Sequence, residues 1–208
     1  MSRSIFHTVK LEKLLAATLE KPVQLFNKEL YTNYDLESLF LCKTNKIMLK
    51  AGVLGAGHLG KIHLKLLQQS DAYELVGFYD DSDAVAEAVA NEFGYKRFPS
   101  IAALIDACDM IDVVTPTTHH FDCAKQVIKA GKHLFIEKPI TQTVEQAIAI
   151  RELAKKHGVR GQVGQVERFN PAFSAVKDMI DNPMFIEAHR LAEFNPRGTD
   201  VPVVLDLM

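Results

Sequence analysis

Cysteine is scarce in this sequence and nothing pairs it: Cys42, Cys108 and Cys123 are odd in number, scattered, and form no C-x-x-C. That argues against a disulfide framework and against a thiolate zinc site, and it fits reduced thiols in a cytoplasmic protein. Long apolar runs are missing as well. No stretch approaches the ~18 uninterrupted apolar residues of a membrane span. Near the start, Lys10, Glu12, Lys13 and Glu20 break up the leucines, so no secretory hydrophobic region is expected there. An excess of charge is lacking too: 24 Lys and Arg face 26 Asp and Glu, a net charge of −2, which gives no electrostatic reason to expect nucleic acid or an anionic membrane as partner. Apolar residues, in contrast, make up 48% of the chain, ample for a core. At 208 residues the chain is long for one domain and short for two full ones.

Against that plain background one segment stands out. Gly55-Ala56-Gly57-His58-Leu59-Gly60 fits G-x-G-x-x-G and follows an apolar run, Ile47 to Leu54, that reads as a buried parallel strand. Behind the glycines, Leu59, Ile62, Leu66 and Leu67 recur at helical spacing, which places the glycines on a strand-to-helix turn. A second apolar run, Leu75 to Tyr79, ends in Asp80, twenty positions after Gly60. That order is the dinucleotide-binding fingerprint. Gly55 permits the tight turn, Gly57 lets backbone approach a pyrophosphate, and Gly60 lets helix and strand pack closely. The helix N-terminus offers N–H groups and a positive dipole to the phosphates. A carboxylate at Asp80 accepts both adenosine-ribose hydroxyls and repels a 2′-phosphate, and no Arg or Lys follows closely behind, so NAD is favoured over NADP. The competing reading is that Asp80 caps the next helix, since Ser82 and Asp83 are also helix-start residues.

Strand–helix alternation continues along the chain. Ala84, Val85, Ala88, Val89 and Phe93 mark a helix closed by Gly94, and Ser100 caps a short one through Ala107. Strands are expected at Ile111–Val114, at His133–Ile136 and over Val159 to Val166. Phe121, Ala124, Val127 and Ile128 mark a helix stopped by Gly131. Thr143 caps another, with Val144, Ala147, Ile148 and Ala154 facing inward, ending near Gly158. The pattern implies an α/β fold with a doubly wound parallel sheet of the Rossmann kind over 47–166. Ligands bind such sheets beyond the carboxyl ends of their strands. Gly55–Gly60, Asp80, Thr115–His119, Glu137–Pro139 and Gln165–Asn170 all fall at expected strand ends and so converge on one rim.

Taken together, Gly52-Val53-Leu54-Gly55-Ala56-Gly57, then Val114-Thr115-Pro116-Thr117 with His119, then Glu137-Lys138-Pro139, resemble the Gfo/Idh/MocA oxidoreductases. The resemblance runs from 47 to 208. It implies a Rossmann domain followed by an α/β domain with an open sheet, nicotinamide cofactors, and sugars, inositols or sugar nucleotides as substrates. Val166 to Pro171 and Arg197 to Met208 look most like the branch acting on UDP-N-acetylglucosamine at its 3-position. The resemblance also implies a homo-oligomer packed through the second-domain sheet.

Lys138, projecting from a strand end, would hold the hydroxyl that becomes a carbonyl and stabilise developing alkoxide charge. Glu137 either orients Lys138 or contacts the nicotinamide ribose. Pro139 fixes the chain locally, and a cis bond before it is tolerated there. Thr115, Pro116 and Thr117 should line the cofactor's ribose and phosphate side, and the resemblance places His119 near the cofactor, with His120 facing solvent. His58 and His63 read as packing or surface residues. Arg168, Asn170, Arg190 and Arg197 are candidates for holding a substrate diphosphate, because Arg forks suit phosphate oxygens.

Both ends raise questions. Residues 1–46 precede the first expected strand; Val9, Leu11, Leu14, Leu15 and Leu19 would form a short amphipathic helix stopped by Pro22. A helical arm, an upstream stretch translated from a misplaced start codon, and a partner-binding segment all fit, with the second slightly favoured because Met48 stands where such domains commonly start. At the other end, 167–208 reads as the beginning of a second domain, with one alternating strand from Met184 to Phe194. The family's catalytic pattern is an Asp with a His four positions later on a helix of the second domain, a spacing that puts both side chains on one helix face. Asp206 matches the Asp, and the His would fall past Met208. Two classes therefore stay open: an NAD-dependent sugar or sugar-nucleotide dehydrogenase, and a non-catalytic dinucleotide-binding module or fragment of such an enzyme.

Overall fold

The computed structural model describes residues 48–187 and positions 189, 202 and 204. The 1–46 segment, Arg190, Arg197 and Asp206 lie outside the described residues.

Apolar runs and capping residues set the elements in the order the sequence reads. Strand β1 (Leu49–Leu54) leads through the glycine turn into α1 (His58–Gln68); β2 (Tyr73–Tyr79) leads into α2 (Asp83–Phe93). Then come α3 (Ile101–Ala107), β3 (Met110–Val113), α4 (Thr117–Lys129), β4 (His133–Ile136), α5 (Val144–His157) and β5 (Gly161–Val163). Ser82, Ser100 and Thr143 each accept a backbone N–H at the start of their helices, and Gly94 and Gly158 close two of them in the left-handed conformation. Each of the three side-chain N-caps is worth ~1 kcal/mol.

The five strands pair in the order β2-β1-β3-β4-β5, all parallel. Their register matters most for function. Leu54 pairs with Tyr79 and Val113, Val113 with Ile136, and Ile136 with Val163. The five carboxyl ends are therefore level, and the residues after them share one edge. Side chains alternate between the two sheet faces. Ala51, Val53, Met110 and Phe135 pack with Leu64 and Leu67 of α1 and Ala86 and Val89 of α2. Leu54, Ile111, Val113, Leu134 and Ile136 pack on the other face with Leu104 of α3, Ala124, Val127 and Ile128 of α4, and Ile150 of α5.

Three expectations need correction. In α5, Val144 and Ile148 are exposed, and the packed side runs through Ile150, Leu153 and Ala154, because the neighbouring α4 fixes which face is covered. Strand β5 is confined to Gly161–Val163; among the described residues it pairs with β4 alone, and it ends where Glu137 meets Gly164. The expected strand starting at Met184 does not form over 184–187: Met184, Phe185 and Ile186 are all exposed, and alternation makes a strand only where a neighbour pairs with it. The rest of that span lies outside the described residues. Past β5 the chain makes a 3-10 turn, Val166–Phe169, and the short helix α6 (Pro171–Val176).

Candidate active site

The glycine turn is built as its sequence implies. Gly55 has φ +95°, and a Cβ there would stand 2.8 Å from the carbonyl oxygen of Val114. A Cβ at Gly60 would stand 2.0 Å from the Gly55 carbonyl oxygen, so α1 and the turn touch backbone to backbone. Gly57 is the N-cap of α1 and opens on empty space, with nothing within 4 Å of a built Cβ. It supplies no side-chain cap, and the first turn of α1 carries no acid, which leaves the helix start receptive to an anion. Asp80 sits against this turn. Its Oδ2 accepts the Ala56 N–H at 2.7 Å and its Oδ1 accepts the Ser82 N–H at 2.9 Å. Ser82 is the cap of α2, so Asp80 supports the cap and does not replace it. Gly57, His58 and Leu59 are exposed, whereas Ala56 and Gly60 are buried.

Chain order hides one cation near this end of the sheet. An isolated parallel bridge sets Arg97 beside Phe78, and its guanidinium pairs with the Asp83 carboxylate. Sequence spacing gives no signal for it, because α2 intervenes.

The loop after β3 carries Thr115, Pro116 and Thr117, with Pro116 exposed as the N-cap of α4 and Thr117 buried. His120 reverses its expected place. It is 1% exposed, with Nδ1 2.9 Å from the Pro139 carbonyl oxygen and Nε2 2.9 Å from that of Thr115. Helix phase is the reason: His120, Ala124, Val127 and Ile128 share the buried face of α4, a 3.6-residue spacing that was legible beforehand. His120 thus ties the loop after β3 to the one after β4. His119, one residue earlier, is exposed.

Past β4 stand Glu137, buried, and Lys138, half-buried, followed by a cis Lys138–Pro139 peptide. Glu137 Oε2 accepts the Lys138 backbone N–H at 3.1 Å. Beneath it lie two residues that sequence reading did not join to the site. His63 of α1 and Asp112 of β3 are both fully buried, with Nδ1 2.7 Å from Oδ2, and His63 Nε2 lies 3.4 Å from Glu137 Oε1. Burial opposes charge on the ring, but Asp112 and then Glu137 outweigh it, and the His63 pKa is raised to about 10.

Of the substrate candidates, Arg168 is exposed on the 3-10 turn. Asn170 is engaged locally: its Oδ1 accepts the Ala172 N–H at 3.1 Å and its Nδ2 donates to Glu167 at 2.7 Å. The structure therefore gathers Gly55–Gly60, Asp80, Thr115–Thr117, Glu137 and Lys138 along one sheet edge. An open glycine cradle, an uncapped helix start and a fixed carboxylate across the turn are a donor and acceptor set that fits a nicotinamide dinucleotide. Among the described residues no helix is long and apolar enough to cross a membrane.

The chain is similar to known proteins. The model of the Gfo/Idh/MocA oxidoreductase family, described as an NAD-binding Rossmann fold, matches residues 49–165. The chain is 36% identical over 163 residues to UDP-N-acetylglucosamine 3-dehydrogenase of Acidithiobacillus ferrooxidans, covering 78% of this chain and 51% of that protein. It is 37% identical to scyllo-inositol 2-dehydrogenase (NAD(+)) of Bacillus subtilis, covering 64% of this chain and 40% of that one. A solved structure of the Acidithiobacillus enzyme superposes with a TM-score of 0.70 at 36% identity, over 78% of this chain and 53% of the other. The chain thus spans about half the length or less of these relatives.

Proposed function

We propose, given that this chain belongs to the Gfo/Idh/MocA oxidoreductase family with its NAD-binding Rossmann fold, that it serves NAD-dependent oxidation of a secondary hydroxyl on a sugar or sugar nucleotide. The observation that carries the reading is the level edge on which Asp80, the glycine turn and Glu137–Lys138 stand together. Position 3 of UDP-N-acetylglucosamine is the substrate of choice, because a relative matched over 78% of this chain is a UDP-N-acetylglucosamine 3-dehydrogenase.

A bound nicotinamide dinucleotide supplies the oxidant. Residues Gly55 to Gly60 would hold its pyrophosphate through backbone N–H groups and the start of α1. Asp80 selects an unphosphorylated ribose: both its oxygens already accept N–H bonds yet keep further lone pairs for hydroxyls, whereas a 2′-phosphate would meet like charge. Arg97 does not offset that repulsion, since Asp83 engages its guanidinium. Thr115, Pro116, Thr117 and His119 would border the ribose side. Lys138 binds the reacting hydroxyl and stabilises its oxygen as charge develops. Asp206 is assigned to the proton-transfer machinery, and Arg168, Asn170, Arg190 and Arg197 to the substrate, with residues from 167 onward belonging to a second, substrate-side unit.

Titration calorimetry with NAD and NADP, followed by NAD reduction against a panel of sugar nucleotides, inositols and sugar phosphates, tests this. Tighter binding of NAD and turnover of one sugar class are expected. Equal affinity for the two cofactors would remove the role given to Asp80, and absence of any dinucleotide binding would overturn the reading as a whole.

A further inference from the structure

The sheet face beneath α1 is apolar at Ala51, Val53, Met110 and Phe135, and Asp112 breaks it. Above Asp112, His63 stands where α1 would otherwise present another aliphatic residue like Leu64 or Leu67. The Phe135 ring lies beside the imidazole, centroids 6.0 Å apart. Placing two ionisable groups in such surroundings is costly unless each finds partners. A pair serving packing alone would be complete in itself. This one continues upward: Nε2 reaches toward Glu137 Oε1 at 3.4 Å, an ion-pair separation without the alignment of a full hydrogen bond. Glu137 in turn holds the Lys138 N–H through its other oxygen. Gly164, after β5, closes the far side, where a Cβ would stand 2.6 Å from Glu137 Oε1.

We propose that His63, fixed by Asp112, is the positioning residue of the reacting centre, acting through Glu137 to set where the Lys138–Pro139 segment begins. This rests on the assignment of Lys138 to that centre. Asp112 holds the ring plane from below through Nδ1. A proton on Nε2 then faces Glu137 and keeps its carboxylate from turning away, so that Oε2 stays on the Lys138 N–H. The raised His63 pKa keeps that proton in place at neutral pH. Burial raises the Asp112 pKa as well, so the pair holds one proton strongly, and the ring flanked by two carboxylates keeps it. The other titratable group facing the pair is Tyr73 of β2, whose phenol is pushed up to about 12 by burial and by Asp112, and which stays neutral throughout.

Nuclear magnetic resonance of the 15N-labelled 208-residue chain tests the link directly. The unmutated chain should show His63 protonated on both ring nitrogens near neutral pH. His63→Gln should shift the Lys138 amide signal while the amides of Gly55 to Gly60 and the NAD affinity measured by calorimetry stay as they were. Asp112→Asn should move the same amide, and the double variant should do no more than either single one, because both act through one ring. With a turned-over sugar substrate, kcat should fall by about 10²-fold in either variant with KM little changed, the scale of an ångström-sized misplacement. An unmoved Lys138 amide in a folded variant overturns the proposal. So does a bare Nε2 in the unmutated chain, a measurement that decides alone if neither variant folds. Loss of NAD binding and sugar turnover in the unmutated chain would instead sink the functional reading, and the amide shift would still report on the clamp.

Discussion

The proton on His63 should make stability depend on pH in a narrow, identifiable window. In the folded chain His63 titrates at about 10, whereas an unfolded histidine titrates near ~6.5. Between those values the native state holds one proton that the unfolded chain has released. The stabilisation is therefore complete below the unfolded value and is lost as pH rises through the folded one. One proton corresponds to ~1.4 kcal/mol per pH unit, so going from about pH 7 to about pH 8.5 should remove about 2 kcal/mol. That is a large share of the ~5–15 kcal/mol by which domains are stable. How the proton is divided between His63 and Asp112 does not alter the count, since the folded pair keeps one and the unfolded pair none.

Other groups bound the window. His133, lowered by burial and by Arg160, gives a slope of opposite sign below about pH 6.5. Cys108, raised to about 11 by burial, and Cys123, also raised by burial, add slopes of the same sign only from about pH 9 upward. Denaturant unfolding at several pH values inside the window, at fixed ionic strength and with constant m-value, reads the effect. His63→Gln should be less stable at the acid end of the window and flat across it. A flat profile in the unmutated chain, or an equal slope in the variant, would refute the reasoning.

Four further outcomes follow from the site. Gly60→Ala forces a Cβ to 2.0 Å from the Gly55 carbonyl oxygen, a backbone atom that cannot move aside, so thermal melting should show lost stability and calorimetry lost NAD binding; a variant that binds normally would deny the close contact its role. Asp80→Ala removes the acceptor for the Ala56 N–H and should narrow the preference of NAD over NADP while weakening both, and an unchanged ratio would count against the carboxylate as selector. Lys138→Met should lower sugar turnover by ~10²-fold or more with NAD affinity nearly intact, and full turnover would take Lys138 out of the centre. Gly164→Ala should displace the Glu137 carboxylate and reduce kcat more than it reduces cofactor affinity; equal losses in the two would point to general loosening of the edge.

Local signals carried the fold well. The run into Gly55, the Ser100 cap and the strand His133–Ile136 were readable because each is decided by residues within a few positions of itself. What depends on distant neighbours was not. His63 and Asp112 are 49 positions apart and meet only because α1 crosses over β3, and Glu137 joins them from a third element. An acid inside the apolar run Met110 to Val114 was the one visible hint, since such a residue needs a partner. His120 was expected to face solvent at the opening of its helix, whereas helical phase from Thr117 turns it inward. The misread face of α5 has the same origin, as four apolar residues on a helix do not say which of them a neighbour covers.

Asp80 carries a consequence for how such a scaffold changes over generations. Its carboxylate staples the end of β2 to the turn that ends β1, through Ala56. The residue proposed to select the cofactor is thus also a fastener of the turn that receives it. A lineage drifting toward a phosphorylated cofactor would have to replace the fastener and the selector in one step, or pass through a form with a loosened turn. If Asp80 selects the cofactor as proposed, cofactor choice and turn geometry are coupled through one carboxylate, and replacing it for the first purpose sacrifices part of the second.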